Sequence, residues 1–231
     1  MERCVKPELL DELPPAEPRA VRSRQDLLRV NAWMGNGGIM LRALRSTCHE
    51  PRARRMVDLG AGDGRFLLRV AQRLGAGWQG TDAVLLDQQN SVAPETHQAF
   101  QAFGWQSETR EADVLDWLAQ PDAPACDVVI ANLFLHHFPD AQLAGLLRAA
   151  AGSARLFIAV EPRRSPRSLL FSRLLWVIGC NEVTRHDAVV SVRAGFAGRE
   201  LSRLWPDGAN WTVQEHSVGW FSHLFLAQRR E

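Results

Sequence analysis

Val57-Asp58-Leu59-Gly60-Ala61-Gly62-Asp63-Gly64 is the stretch on which the reading of this chain turns. Residues 56–59 form an apolar run of strand length, and residues 65–74 repeat apolar side chains at helical spacing. Three glycines in five positions lie between them. At such a strand-to-helix turn glycine lets backbone come close to a ligand, and the first amides of the helix point at whatever polar group sits there. The spacing is GxGxG. A dinucleotide fingerprint would place its third glycine one position later, where Arg65 stands. A glycine turn without a ligand is the plain alternative.

Downstream, short apolar runs alternate with longer helical patterns, which predicts a parallel sheet wrapped by helices. Residues 78–81 read as strand two, followed by a helical stretch that Pro94 interrupts and that resumes through His97, Phe100 and Phe103. A weaker third strand is read at 105–110 and a short helix at 114–119. Val128, Val129 and Ile130 mark a buried fourth strand at 127–131, with an alanine- and leucine-rich helix at 141–151. Strand five falls at 156–160, and two closing strands, read as an antiparallel pair, at 211–217 and 222–228. Between them, 165–198 is mostly helical and reads as an insertion. Upstream, residues 2–22 are rich in proline and charge and predict a poorly ordered or loosely docked leader. Residues 25–45 read as two short helices joined at Gly35, Gly37 and Gly38, a helical cap. The expected architecture is a Rossmann-like, doubly wound α/β domain at 51–231 with its insertion at 165–198, preceded by leader and cap at 1–50.

The composition narrows the partners. Of 231 residues, 46% are hydrophobic, and 27 Lys and Arg against 26 Asp and Glu leave a formal charge of +1. That balance offers no field for gathering nucleic acid, so a small neutral partner is expected. Cys4, Cys48, Cys126 and Cys180 show no CxxC pair, which argues against zinc and against a secreted disulfide framework. Reduced thiols in a cytoplasm are expected, with no signal peptide. The longest apolar stretch, 168–180, is too short to span a bilayer and is broken by Arg173, so no transmembrane segment is expected. It nonetheless has more apolar surface than one helical face needs. Core packing is the plain reading; a pocket lid, a homodimer seam and a peripheral membrane contact stay open, and Arg163, Arg164 and Arg167 read as a solvated turn or a contact to lipid head groups.

Acidic residues sit at the expected strand ends. Asp82, in Gly80-Thr81-Asp82, would accept hydrogen bonds from two ribose hydroxyls, and Asp113 closes the third strand; a helix N-cap is the alternative for each. With Asp58 they fall at successive strand ends, where open parallel sheets bind ligands, and together favour a nucleoside cofactor. The glycine stretch resembles the first motif of class I methyltransferases that use S-adenosylmethionine (SAM). The resemblance runs from about residue 56 to 162 and includes Asn132-Leu133-Phe134-Leu135-His136-His137-Phe138 after the fourth strand. It implies SAM as cofactor and a seven-stranded sheet whose last strand is antiparallel. It further implies Asp58 near the methionine amino end, Gly60, Gly62 and Gly64 along the adenosyl moiety, Asp113 beside the adenine amino group, and backbone of Asn132 and Leu133 facing the methionine portion. Asp63-Gly64 departs from the serine or threonine that many members carry before the last glycine. No third donor stands at a telling spacing from the histidine pair, so no metal is expected.

Two further segments, Thr184-Arg185-His186-Asp187-Ala188-Val189-Val190-Ser191-Val192-Arg193-Ala194-Gly195-Phe196 and Asp26-Leu27-Leu28-Arg29-Val30-Asn31-Ala32-Trp33-Met34, are similar to the ubiquinone-biosynthesis-like branch. That branch includes bacterial enzymes of secondary metabolism that methylate aromatic polyketide products. It implies an acceptor pocket over the carboxyl edge of the sheet and methylation of a hydroxyl on a small apolar aromatic or polyketide-like acceptor. His186 is the first candidate base, since an imidazole titrates near neutrality, at about pH 6.5, and Asp187 adjoins it; His136 and His137 compete for the role. C-methylation of a quinone-type ring, a non-catalytic SAM-binding module and an NAD-dependent reductase are the alternatives.

Overall fold

The computed structural model describes residues 1–14, 16–48, 54–118, 126–206 and 208–230. The boundary expected at 50/51 lies outside these residues. Seven strands form one sheet: β1 (Arg55–Leu59), β2 (Asp82–Asp87), β3 (Gln106–Glu111), β4 (Cys126–Asn132), β5 (Ala154–Pro162), β6 (Trp211–Val218) and β7 (Ser222–Arg229). Their order is β3-β2-β1-β4-β5-β7-β6. The first five are parallel, and β7 runs antiparallel to both β5 and β6.

Buried strands with near-continuous apolar sequence require helices on both faces. One face is covered by α3 (Asn36–Thr47), α4 (Arg65–Leu74) and α5 (Pro94–Ala102), whose Leu44, Leu67 and Phe100 pack with Met56, Leu85 and Ile130 of the sheet. The other carries α6 (Val114–Leu118), α7 (Asp140–Ser153) and α10 (Glu200–Leu204), with Trp117, Leu146 and Leu201 against Val57, Val129 and Phe225. In α4, Leu67, Leu68, Val70, Ala71 and Leu74 recur at the spacing of one helical face, and all are buried.

Above the carboxyl edge lie α1 (Leu9–Glu12), α2 (Pro18–Met34), α8 (Pro166–Arg173) and α9 (Glu182–Ala194). The glycine turn expected in the cap is Gly35, at φ +74°, between α2 and α3, although α2 spans 17 residues and is no short helix. Asp26 of α2, fully buried, accepts from the Asn181 N–H at 2.7 Å and the Thr184 hydroxyl at 3.3 Å, which locks α2 to the start of α9.

Three expectations are corrected here. Strand two is not 78–81 but Asp82–Asp87: Gly80 turns at φ +75°, and Ala83-Val84-Leu85-Leu86 is the run buried between neighbouring strands. The leader is docked. Arg3 donates to the Ala194 carbonyl at 2.8 Å and the Phe138 carbonyl at 2.9 Å, pairs with Asp140 at 2.6 Å and lies over the Phe196 ring. Arg3, Glu8 and Asp11 have charged partners in the body of the fold, which composition could not show. Pro94 also starts α5 rather than interrupting it, as its missing N–H allows at a first helical position. All four cysteines carry free thiols, and among the described residues no helix is long and apolar enough to cross a membrane.

Candidate functional site

The strand order reverses between β1 and β4, so their carboxyl ends part and open a crevice, the usual ligand site of such sheets. After β1 the chain turns through Gly60 at φ +66°; a Cβ there would lie 2.2 Å from the Phe134 ring, so no larger residue fits. The Gly62 N–H donates to Asp87 Oδ2 at 2.8 Å, and the Gln89 N–H to Asp87 Oδ1 at 2.9 Å. Asp87 therefore ends β2 beside the glycine turn. Asp82, expected there, opens β2 at the opposite edge of the sheet, exposed and in register with Arg55 and Gln106. It does not line the crevice.

Asp58 is buried near the end of β1, and its Oδ2 has no hydrogen-bond partner among the described residues. Burial, reinforced by the charge of Asp87, pushes its carboxyl up to about 8. Asp113 caps α6, accepting from the Leu115 N–H at 2.7 Å, and takes the Gln88 amide at 2.7 Å; Gln88 and Val114 line the crevice in its place. Gly64 caps α4 at φ +73°.

Across the crevice, Asn132 closes β4. Its amide donates to Asn31 Oδ1 at 3.0 Å, and buried Asn36 donates to both Asn31 and Asn132 at 3.0 Å, tying the cap to the strand tip. Leu133 then turns at φ +54°, a conformation costly for a branched side chain, and its N–H is held by the Val160 carbonyl at 2.9 Å. Glu161, fully buried on β5, accepts from the Phe134 and Leu135 N–H groups at 3.0 and 2.9 Å and meets His136 Nδ1 at 2.8 Å.

The other nitrogen of His136, Nε2, lies 3.3 Å from Glu8 Oε1 of the leader. Burial works against a charged imidazole, but hydrogen bonds and charge from Glu161 and Glu8 prevail and raise it to about 9. Burial also opposes a charged Glu8, yet His136, His137 and the Ser191 hydroxyl hold its carboxyl below the usual range. Held between two carboxylates, His136 favours the imidazolium form, which opposes the base role expected of it. His137 faces the crevice with Nδ1 3.2 Å from Asp11. Donor atoms of Glu8, His136 and His137 lie within 4.8 Å of one another, so the third donor that sequence spacing lacked arrives in space from the leader; in the ion-paired arrangement these groups satisfy each other.

His186 lies elsewhere. On α9 the face comprising Thr184, Asp187, Ala188 and Ser191 turns inward, as i, i+3, i+4 and i+7 positions do, and leaves His186 outward with half of its side chain exposed. Its neighbour Asp187 is the working residue: it accepts from the Leu9 and Leu10 N–H groups at 2.8 and 3.0 Å and pins the leader.

Two connected spaces result. The crevice, about 1690 Å³ of empty space, runs from Gly62 and Asp87 to Asn132 and His137. Beside it an apolar pocket, with about 700 Å³ of empty space that includes its opening to solvent, is walled by Val30, Trp33, Met34, Phe171, Leu175 and Phe221. Leu133, Glu8, Leu10, Leu27 and Ser191 border both.

Residues 56–155 match the family model of a methyltransferase domain. That stretch, somewhat under half of the chain, is similar to a methyltransferase domain. Among solved structures, an O-methyltransferase family protein from Burkholderia thailandensis is 21% identical with a TM-score of 0.60, over 93% of this chain and 61% of that one. The magnesium protoporphyrin IX methyltransferase of Synechocystis PCC 6803, with S-adenosylhomocysteine bound, is 13% identical with a TM-score of 0.59, over 96% and 91%. The mitomycin 7-O-methyltransferase is 17% identical with a TM-score of 0.60, over 96% and 60%. At these identities the likeness establishes the fold, and this chain spans about three fifths of the length of the Burkholderia and mitomycin proteins. No curated protein matches the chain.

The crevice suits a ligand with a cationic group, such as the methionine amino end of SAM, because Asp58 Oδ2 is a buried carboxylate oxygen without a partner among the described residues. A carboxyl raised to about 8 is protonated in the free protein below that pH and must ionise to receive the cation. SAM affinity should therefore rise from pH 6 to pH 8 and level off above, with proton release on binding; Asp58→Asn should abolish the slope. Titration calorimetry in buffers of different ionisation enthalpy reads both quantities, and a flat wild-type profile would remove Asp58 from that role.

Proposed function

We propose that this chain transfers the methyl group of SAM to a hydroxyl of a small, apolar aromatic or polyketide-like acceptor. The observation that carries the reading is the apolar cavity that shares Leu133 and Glu8 with the cofactor crevice. Asp87 takes the ribose hydroxyls, the role first given to Asp82. Asp58 takes the amino end, the turn at Gly60 and Gly62 with Gly64 behind it takes the adenosyl moiety, and backbone at Asn132 and Leu133 takes the methionine portion. Asp113 shapes the adenine end as the cap of α6. The resemblance of residues 184–196 and 26–34 to the ubiquinone-biosynthesis-like branch supports an aromatic acceptor, since both segments wall the cavity.

SAM brings a methyl already activated on a sulfonium, so placement of the acceptor oxygen does most of the work. The cap and α9 hold the ring in an apolar space, and Leu133 brings it against the crevice. Of the three histidines, His137 is the one open to the crevice and free of a second carboxylate partner among the described residues, and it receives the hydroxyl proton.

The test is a panel of phenols and quinols incubated with SAM, with the methylated atom located by NMR. Ala188→Phe, which fills the cavity, should raise the acceptor KM at least roughly tenfold, as expected for lost binding, and leave SAM affinity unchanged. His186→Gln should keep wild-type rates. Methyl on ring carbon would replace hydroxyl with C-methylation, and SAM binding with no turnover across the panel would favour a non-catalytic module.

A further inference from the structure

Seven of the eleven exposed large hydrophobic residues lie on one face. Five belong to α8, the short 3-10 turn Leu175–Ile178 that follows it and the residue joining them: Leu170, Leu174, Trp176, Val177 and Ile178, with Trp176 60% and Val177 64% exposed. The other two, Trp33 and Trp220, join through Phe171, whose ring centroid is 6.0 Å from each. Monomers do not leave so continuous an apolar face bare without a partner for it.

The rim has one sign of charge. Residues 163–181 contain Arg163, Arg164, Arg167 and Arg173 and no acidic residue. Arg164 is buried and paired with Glu200, whereas Arg167 and Arg173 are exposed with no ion-pair partner among the described residues. Arg29, also exposed, is ion-paired with buried Asp26 and reaches the Ile178 carbonyl at 3.4 Å. Tryptophan and aliphatic residues at the centre with arginine around them match a bilayer interface, where indoles sit at head-group level and cations meet anionic lipid. A second copy fits less well, because a two-fold contact would set the same arginine rim against itself.

The inner side of the same elements is the acceptor cavity: Phe171, Leu175, Trp33 and Phe221 line it. We infer that the face made by α8, the Leu175–Ile178 turn, Trp33 and Trp220 docks on an anionic membrane surface and admits an acceptor that carries a hydrocarbon tail and partitions into the bilayer. The membrane contact stands on the patch itself; the tailed acceptor rests on the hydroxyl-methylating function proposed above.

The experiment uses the full chain with phosphatidylcholine vesicles, with and without phosphatidylglycerol. Wild-type protein should sediment with the phosphatidylglycerol vesicles, with a blue shift of tryptophan emission and less binding as salt rises. The double variant Trp176→Glu/Val177→Glu should bind at least roughly tenfold more weakly while keeping its SAM affinity, which reports an intact fold. Arg167→Gln/Arg173→Gln should lose the preference for phosphatidylglycerol, and Phe103→Glu, exposed on another face, should change nothing. In a second arm, the Trp176/Val177 variant should slow methylation of a long-chain alkylphenol presented in vesicles and leave a short, water-soluble phenol unaffected. Wild-type protein that ignores both vesicles would overturn the inference, as would a Trp176/Val177 variant that binds normally or one whose only effect is to split a dimer. Lost vesicle binding in that variant with no phenol methylated at all would keep the membrane face and reject the proposed reaction.

Discussion

Asp87→Ala should weaken SAM binding by at least roughly tenfold and up to about a hundredfold, whereas Asp82→Ala should leave it unchanged. A carboxylate shared by two hydroxyls makes charge-assisted hydrogen bonds worth about 1.5–3 kcal/mol each, and about 1.4 kcal/mol is a factor of ten. Asp87 also holds the Gly62 and Gln89 N–H groups, so its loss loosens the glycine turn as well. Asp82 lies at the far edge of the sheet and should be silent in the same titration. The pair forms a control on sequence-based assignment: equal losses in both variants, or none in either, would contradict the geometry of the crevice.

Glu161→Ala should be the most damaging single change for stability. This buried carboxylate satisfies the N–H groups of Phe134 and Leu135 and carries half of the charge balance of His136. Removing it leaves two backbone donors unpaired and a buried imidazolium with Glu8 alone, and breaking such a pair costs about 3–5 kcal/mol. For a chain of this size that is a fall in Tm of roughly 6–20 °C. Thermal unfolding followed by circular dichroism measures it, and a loss below about 1 kcal/mol would show that the network contributes little. Glu161→Gln keeps one acceptor oxygen and should fall between the two.

What the sequence disclosed and what it hid divide along contact distance. The glycine turn from Gly60 to Gly64 was readable because strand, turn and helix are consecutive, and the parallel sheet followed from local apolar runs. The second strand was misplaced by its own neighbours: Trp78 drew the assignment although Ala83-Val84-Leu85-Leu86 is the more uniformly apolar run, and Asp87 at its end was passed over. Glu161 had a visible signal of the same kind, an acid directly after the buried run 156–160. Glu8 had none, since nothing in a proline-rich leader shows that it meets a histidine 128 residues away. His186 does pair with Asp187, Nδ1 to Oδ1 at 2.9 Å, as its adjacency suggested, but its ring stays half exposed while the face of α9 that lines the cavity belongs to Thr184, Asp187, Ala188 and Ser191.

The wall between the two spaces has a consequence for how such a protein changes over time. Of the residues lining the apolar cavity, Leu133 alone falls within the 56–155 stretch matched by the methyltransferase family model; the rest come from the leader, α2 and the segments after β5. On the proposed function, acceptor choice is therefore encoded largely outside the family-matched stretch, and the two spaces meet at Glu8, Leu10, Leu27, Leu133 and Ser191. Substitutions at cavity positions that do not border the crevice, such as Val30, Met34, Phe171 and Val192, can remodel which molecule is received while the crevice stays untouched. Proteins that share the central domain are accordingly free to differ in what they methylate, and similarity confined to that domain carries no information about the acceptor.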